Sequence, residues 1–252
     1  MKVLLLLVIG ALLASRVFAQ DWRTASREPV GLAPDPKAVN EAVVQVYGAR
    51  TLGIKGLFGV HTWVAVKPTA APEWTVYEVI GWRLRWGDSI VVVRHRAPDG
   101  RWFGSEPELY AEKRGVGVDE LIQRIDKAAH DYPYAREYTL WPGPNSNTFT
   151  AWIASAVPEL EVNLPATAIG KDYLGGSIFG TAPSGSGVQL SLAGLLGIAA
   201  SGVEGLELNI LGLNFGIGPS GIKLPVVGRI GPRISPSLSA ARPAEPVQTF
   251  QP

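Results

Sequence analysis

Glycine and proline interrupt this chain so often, at 29 and 20 of its 252 positions, that no long helical bundle can be threaded through it. Between the interruptions lie short β-branched and aromatic runs, AVVQVYGAR, GLFGVHTWVAVK, WTVYEVIGW and SIVVVRH, each bounded by Gly, Pro or Asp. Such runs predict a meander of about four antiparallel strands beginning near Glu41. Two stretches follow a helical period instead. Apolar residues fall at positions 118, 121, 122, 125, 128, 129 and 132, and Pro133 ends that pattern. After the turn Pro142-Gly143-Pro144, the residues Phe149, Trp152, Ile153, Ala156 and Val157 recur at helical spacing until Pro158, predicting a helix that starts at Asn145 or Ser146.

The expected fold class is therefore α+β, an antiparallel meander with packed helices over residues 41–170. A glycine-rich, β-rich lobe of the same unit follows over residues 171–232. From Tyr173 to Val203 the lobe carries no charged side chain. Further on, Leu206, Leu208 and Ile210 alternate with polar residues, then the phase slips to Leu211, Leu213, Phe215 and Ile217, which predicts a β-bulge at Leu211. The lobe reads as a buried β extension of the core, with a membrane-contacting or partner-contacting surface as the alternative, because glycine breaks the apolar run before it reaches a membrane span.

The ends of the chain differ from its middle. Residues 1–19, MKVLLLLVIGALLASRVFA, combine Lys2, an apolar run from Val3 to Ala14 and small residues approaching Ala19, the pattern of a secretory signal peptide. As a helix the apolar run would span about 18 Å, short of a hydrocarbon core of ~30 Å, so a cleaved leader is expected rather than an anchor. Residues 20–40 read as a polar, proline-bearing linker, and residues 233–252 as a disordered tail rich in Pro, Ser and Ala. The expected location is exported, periplasmic or cell-envelope associated.

Several chemistries are excluded. The chain has no cysteine, hence no disulfide, no thiolate nucleophile and no Cys-ligated metal. Its three histidines are far apart in sequence and form no HExxH, so neither a metal site nor a cofactor is expected. A net charge of +1 lacks the basic excess of a nucleic-acid binder.

One constellation combines a nucleophile, a base and a positioning element. Ser146 stands at a predicted helix start, where free N–H groups and the helix dipole favour a developing anion. His61, in GVHTWVAV, is the candidate base, pointing away from the Val60, Thr62, Val64, Val66 face and toward whatever covers the other side, for which the Ser146 helix is the candidate. Glu78, the carboxylate in WTVYEVIGW, is the candidate orienting group. Asn145, Asn147 and Trp63 are candidate ligand contacts. The plainer reading is that Asn145-Ser146-Asn147 simply caps a helix. Arg83, Arg85, Arg94, Arg96 and Arg101, with Trp82, Trp86 and Trp102, suggest either an anion- or sugar-binding face or a solvated arginine row.

A His on an early strand, followed much later by Asn145-Ser146-Asn147-Thr148-Phe149 at a helix start, resembles the circularly permuted papain-like peptidases and acyltransferases, including NlpC-like, LRAT-like and PPPDE-type domains. The likeness covers about residues 42–157 and implies a permuted papain-like fold with a hydrolase or acyl-transfer cleft. Those enzymes place Cys at the helix start. A serine there cannot form a resting thiolate–imidazolium pair, so it would need His61 to remove its proton during attack. More specifically, HTWVAVK, YEVIGW and WPGPNSNTF together are similar to a bacterial exported domain family of unknown function, and LPATAIGKDYL with the glycine-rich stretch extends that likeness.

The leading expectation is an exported cell-envelope protein with a hydrolase- or acyl-transfer-like cleft in which Ser146 replaces the usual Cys. The alternative is a non-catalytic envelope-binding module for a peptidoglycan, lipid or peptide ligand, or a membrane-associated structural protein that uses the charge-poor lobe. Expected partners are an envelope peptide, glycan or lipid, with peripheral membrane contact. The sequence leaves the oligomeric state open.

Overall fold

The computed structural model describes residues 21–231. The expected leader at 1–19 and the expected tail at 233–252 lie outside the described residues. The four strand runs form β1 (Val43–Arg50), β2 (Val60–Lys67), β3 (Thr75–Val79) and β4 (Val91–His95). A fifth strand, β5 (Glu108–Arg114), joins the free side of β1 and completes an antiparallel sheet ordered β4-β3-β2-β1-β5. Its sequence ELYAEKR obscured it, because charged residues weaken the strand pattern while remaining acceptable on a sheet edge. The GLF run contributes a single helical turn, α1 (Lys55–Phe58), ahead of β2.

Helices α2 (Val118–His130) and α3 (Ser146–Ala156) cover one face of this sheet. Val44, Val46, Val64 and Val66 of the strands pack there against Ile122 and Ile125 of α2 and Phe149 and Ile153 of α3. The opposite face is also buried, around Tyr47, Trp63, Trp74 and Val76. Its cover includes part of the segment expected to be a linker. Pro34 accepts a hydrogen bond from Trp74 Nε1 at 3.2 Å, and the N–H groups of Leu32 and Ala33 bond Asp99 Oδ2 at 2.7 and 3.3 Å. Within this mostly exposed segment Ala33 and Val39 pack against the sheet, held by side chains that become adjacent only once the sheet has formed.

The C-terminal lobe is a single seven-stranded antiparallel meander of β6 (Phe179–Gly180), β7 (Val188–Leu192), β8 (Leu196–Ser201), β9 (Gly205–Ile210), β10 (Leu213–Gly218), β11 (Gly221–Leu224) and β12 (Gly228–Ile230). The expected bulge at Leu211 is instead a two-residue hairpin turn. Ile210 pairs with Leu213, while Leu211 and Gly212 adopt φ of 54° and 77°, the left-handed pair that matches strand twist. A two-residue turn shifts the alternation just as a bulge would.

This sheet is inverted relative to an ordinary half-buried sheet. Gln189, Ser191, Glu207, Asn209, Asn214 and Lys223 point inward and are buried, whereas Leu190, Ile198, Leu208 and Phe215 line up across four strands on the outer face and are exposed. From β7 to β12 every outward position is apolar or glycine. The lobe is therefore no buried apolar extension of the core. It meets the rest of the chain through polar groups. Lys171 Nζ bonds Asp172 Oδ1 at 2.7 Å and also reaches Glu207, which pairs in turn with Lys223. Between β9 and β11 the facing residue is Gly216, whose missing side chain lets Glu207 and Lys223 meet across it. Burial disfavours the Lys171 charge, but Asp172 and Glu207 outweigh it and raise its pKa above the ordinary lysine value.

Candidate functional site

The residues proposed as a catalytic set fall on opposite sides of the first sheet, His61 and Glu78 on one and the Ser146 helix start on the other. Strand alternation sends Thr62 toward α3 and His61 to the opposite side. Thr62 Oγ1 lies 3.2 Å from the Ser146 carbonyl, 3.0 Å from Asn147 Oδ1 and 2.8 Å from Thr150 Oγ1. The helix start is thus seated on Thr62, and the sheet itself stands between Ser146 and His61. The expectation that His61 faces the Ser146 helix is corrected by this register: the helix covers the valine face because that is where its own Phe149 and Ile153 find apolar partners.

The start of α3 is closed by its own cap. Asn145 Oδ1 accepts from the N–H groups of Asn147 at 2.9 Å and Thr148 at 3.3 Å, and Thr148 Oγ1 accepts from the Asn145 N–H at 3.0 Å. This reciprocal capping box satisfies donors that an oxyanion would otherwise use. The amide nitrogens of Asn145 and Asn147 both donate to the Ile169 carbonyl, at 3.0 and 2.8 Å, tying the helix to the segment that leads into the lobe. Asn145 and Asn147, proposed as ligand contacts, have their amides committed internally. Ser146 is 4% exposed.

His61 and Glu78 do come together. His61 Nε2 lies 3.1 Å from Glu78 Oε2, and the other carboxylate oxygen accepts from Arg94 at 2.6 Å and Arg96 at 3.4 Å. Trp102 stacks on the imidazole with ring centroids 3.6 Å apart and planes 14° from parallel, and Arg96 lies over the Trp63 ring. Burial raises the Glu78 carboxyl, but the hydrogen bond and charge of His61 and the charges of Arg96 and Arg94 outweigh it and lower its pKa to about 2. Burial lowers the His61 pKa, opposed by Glu78 and assisted by Arg96 and Arg94.

Trp63, proposed as a ligand contact, is fully buried with its Nε1 bonded to the Pro98 carbonyl at 2.8 Å. The polar cluster therefore lies under an aromatic roof. Of the wider Arg–Trp set, Arg94 and Arg96 serve Glu78, and Trp82 stacks on Trp102 at the surface. Among the described residues, no group of three or more His, Asp or Glu side chains converges as a metal site would require.

The surface that stands out chemically is the outer face of the C-terminal sheet. Its alternation is plain in the sequence, but alternation names two faces without saying which is inside. The polar row Gln189, Ser191, Glu207, Asn209, Asn214 and Lys223 would be equally satisfied by water, so the face becomes the inside only through partners from elsewhere in the chain, chiefly Lys171 and Asp172. No curated protein and no solved structure matches this chain. The described family whose pattern covers residues 41–173, which takes in the first sheet, both longer helices and the approach to the lobe, is a protein family of unknown function, DUF3750, and the chain belongs to it.

Proposed function

We propose that this chain is an exported, non-catalytic cell-envelope protein whose working surface is the outer face of the C-terminal sheet. The observation that carries the reading is the inversion of that sheet, with ion pairs and amides buried beneath it and leucine, isoleucine, valine and phenylalanine exposed upon it. Covering one half-exposed side chain of this kind contributes roughly 1 kcal/mol, so the dozen or so present would contribute on the order of 10 kcal/mol. Contiguous apolar patches on that scale mark interaction surfaces.

The permuted papain-like likeness enters this reading as a scaffold without its chemistry. A helix start lies against an antiparallel sheet, but the side chain facing it is Thr62, and the helix N–H groups are taken by Asn145. Acyl transfer needs an imidazole at that place and open oxyanion donors. Export rests on the pattern of residues 1–19.

The test compares the full-length chain with a double variant, Ile198→Glu plus Leu208→Glu, in detergent-free buffer. Both positions face outward and are about half exposed, at 44% and 46%, so the folded state accommodates the change. The unmodified chain should bind a hydrophobic-surface dye and self-associate, and the double variant should lose most of both. Equal behaviour of the two would overturn the reading. A serine-directed activity probe should label neither the unmodified chain nor Ser146→Ala; labelling that depends on Ser146 would restore the catalytic alternative.

A further inference from the structure

The outer sheet face has two unlike ends. At one end the hairpin turns β7–β8, β9–β10 and β11–β12 present Ala193, Leu211, Val226 and Val227, all exposed. At the other end the connections expose no large apolar side chain; Thr181, Gly202 and Pro219 are among the exposed residues there, and Val203 is only partly exposed. The apolar end is extended by parts of the chain outside the sheet. Trp141, half exposed, donates from Nε1 to the Leu211 carbonyl at 2.9 Å, with exposed Leu140 beside it. Arg50 bridges the Val226 carbonyl at 3.0 Å to the carbonyls of Gly56 and Leu57 at 3.1 and 3.0 Å. That bridge brings α1 alongside, with exposed Ile54, Leu57 and Phe58. At the same end an apolar groove of about 470 Å³ opens between Gly175–Ile178 and Leu192–Leu196.

Resting on the reading of the outer face as the working surface, we infer that its occupant is a lipid leaflet, entered through the Leu211 and Val226 turn tips, with Trp141 just behind them. A second copy laid face to face would cover the strands but leave the turn tips and α1 in water. A lipid layer covers strands, tips and the α1 turn together, because it has no fixed shape to match. The outer face of β7–β12 offers no charge by which a protein partner would be selected. Lys55, exposed on α1 beside the apolar end, is a long basic side chain of the kind that lies along apolar surface and reaches the headgroup layer. The Trp141 indole sits where an amphipathic ring is favoured, at the boundary of the immersed zone. The inner face of the sheet is bound to the rest of the chain through Lys171, Asp172 and Asn163, so only its outer face is offered to the interface. The groove at the apolar end is of a size to receive an acyl chain.

The absence of cysteine makes the test direct, since one introduced thiol is the only labelling site. Full-length chains carrying Leu211→Cys or Gly202→Cys, each bearing an environment-sensitive fluorophore, are mixed with phosphatidylethanolamine–phosphatidylglycerol vesicles, then floated and read by fluorescence. Both chains should float. The Leu211→Cys label should shift to the blue and be quenched by a lipid-embedded quencher, while the Gly202→Cys label stays water-like. Adding Ile198→Glu and Leu208→Glu should lower the vesicle-bound fraction at least tenfold; the leader is the same in every chain, so that loss belongs to the sheet. Folding of each variant is checked by near-ultraviolet circular dichroism. Loss of the sheet-dependent flotation together with a concentration-dependent dimer in sedimentation would overturn the lipid occupant and keep the docking surface. Neither flotation nor association would overturn both. Flotation with both labels equally immersed would overturn the orientation.

Discussion

The first sheet and the second sheet are built from the same antiparallel meander, yet they bury opposite chemistry. On β1 and β2 both faces are covered, one by helices α2 and α3 and the other by residues 29–40 and neighbouring loops, so valines point both ways and nearly every position is buried. On β7 to β12 only one face is covered, and the covered one carries Glu207, Lys223, Asn209 and Gln189. The first sheet is held mainly by apolar burial, with enclosed ionic groups at Glu78 and at Glu112, which pairs with Arg114. The second is held to the body of the chain by ion pairs and amides, leaving its apolar face for something else. A sheet's period therefore defines two faces, and the neighbour decides which is the inside.

The comparison is most exposed to failure at two buried ion clusters. Glu207→Gln leaves Lys171 and Lys223 with a neutral partner between them, and should lower stability by about 3–5 kcal/mol in urea unfolding. A loss below about 1 kcal/mol would show that the lobe is not held by this network. Glu78 gives the matching test in the first sheet. Its carboxyl is held at about pKa 2 against an ordinary 4.5, so its contribution is complete above about pH 4.5 and disappears as pH falls toward 2. The difference corresponds to about 3 kcal/mol. His61, buried and held below 6.5, acts in the same direction, its contribution fading as pH falls below its ordinary value. Glu78→Gln should therefore destabilise the protein at pH 7 and flatten the acid limb of the pH–stability curve; an unchanged limb would refute the ion cluster.

Smaller effects separate neighbouring residues. Asn145→Ala removes the capping box of α3 and should cost about 1–2 kcal/mol, whereas Ser146→Ala next to it should cost under about 0.5 kcal/mol. Reversal of that order would give Ser146 a role beyond its place in the helix. The smallest effect is expected on the outer sheet face. Leu208→Ala should change stability in water by less than about 0.5 kcal/mol, against about 2–5 kcal/mol for Ile125→Ala in the first core. Similar costs at both positions would mean that the outer face is packed, and the contrast between the sheets would fail.

Much of the first sheet was legible because its elements advertise themselves locally. β1 to β4 coincide with β-branched runs cut by turn residues, and α2 and α3 start and stop where periodicity, Asn145 and the prolines indicate. β5 was hidden by its charges, and residues 29–40 by depending on Asp99 and Trp74, which are distant in sequence. The Glu78–His61 contact was legible as a pairing of neighbouring strands on one face. The Ser146–His61 relation was not, because choosing the face that receives α3 depends on which apolar stripes fit each other.

The periods of β1 to β4 and of the two longer helices, the lack of any thiol chemistry and the placement of His61 opposite Thr62 were determined by the sequence, since each follows from local geometry and residue type. Which face of each sheet is the inside was decided only by the tertiary structure. In the first sheet α3 covers Thr62 and cannot meet His61; in the second, Lys171 and Asp172 arrive from the preceding segment and draw Glu207, Asn209 and Lys223 inward. Buried charges must find partners, and those partners come from elsewhere in the chain. The apolar residues of β7 to β12 were left outside for that reason, and the surface they form could not be read from their alternation alone.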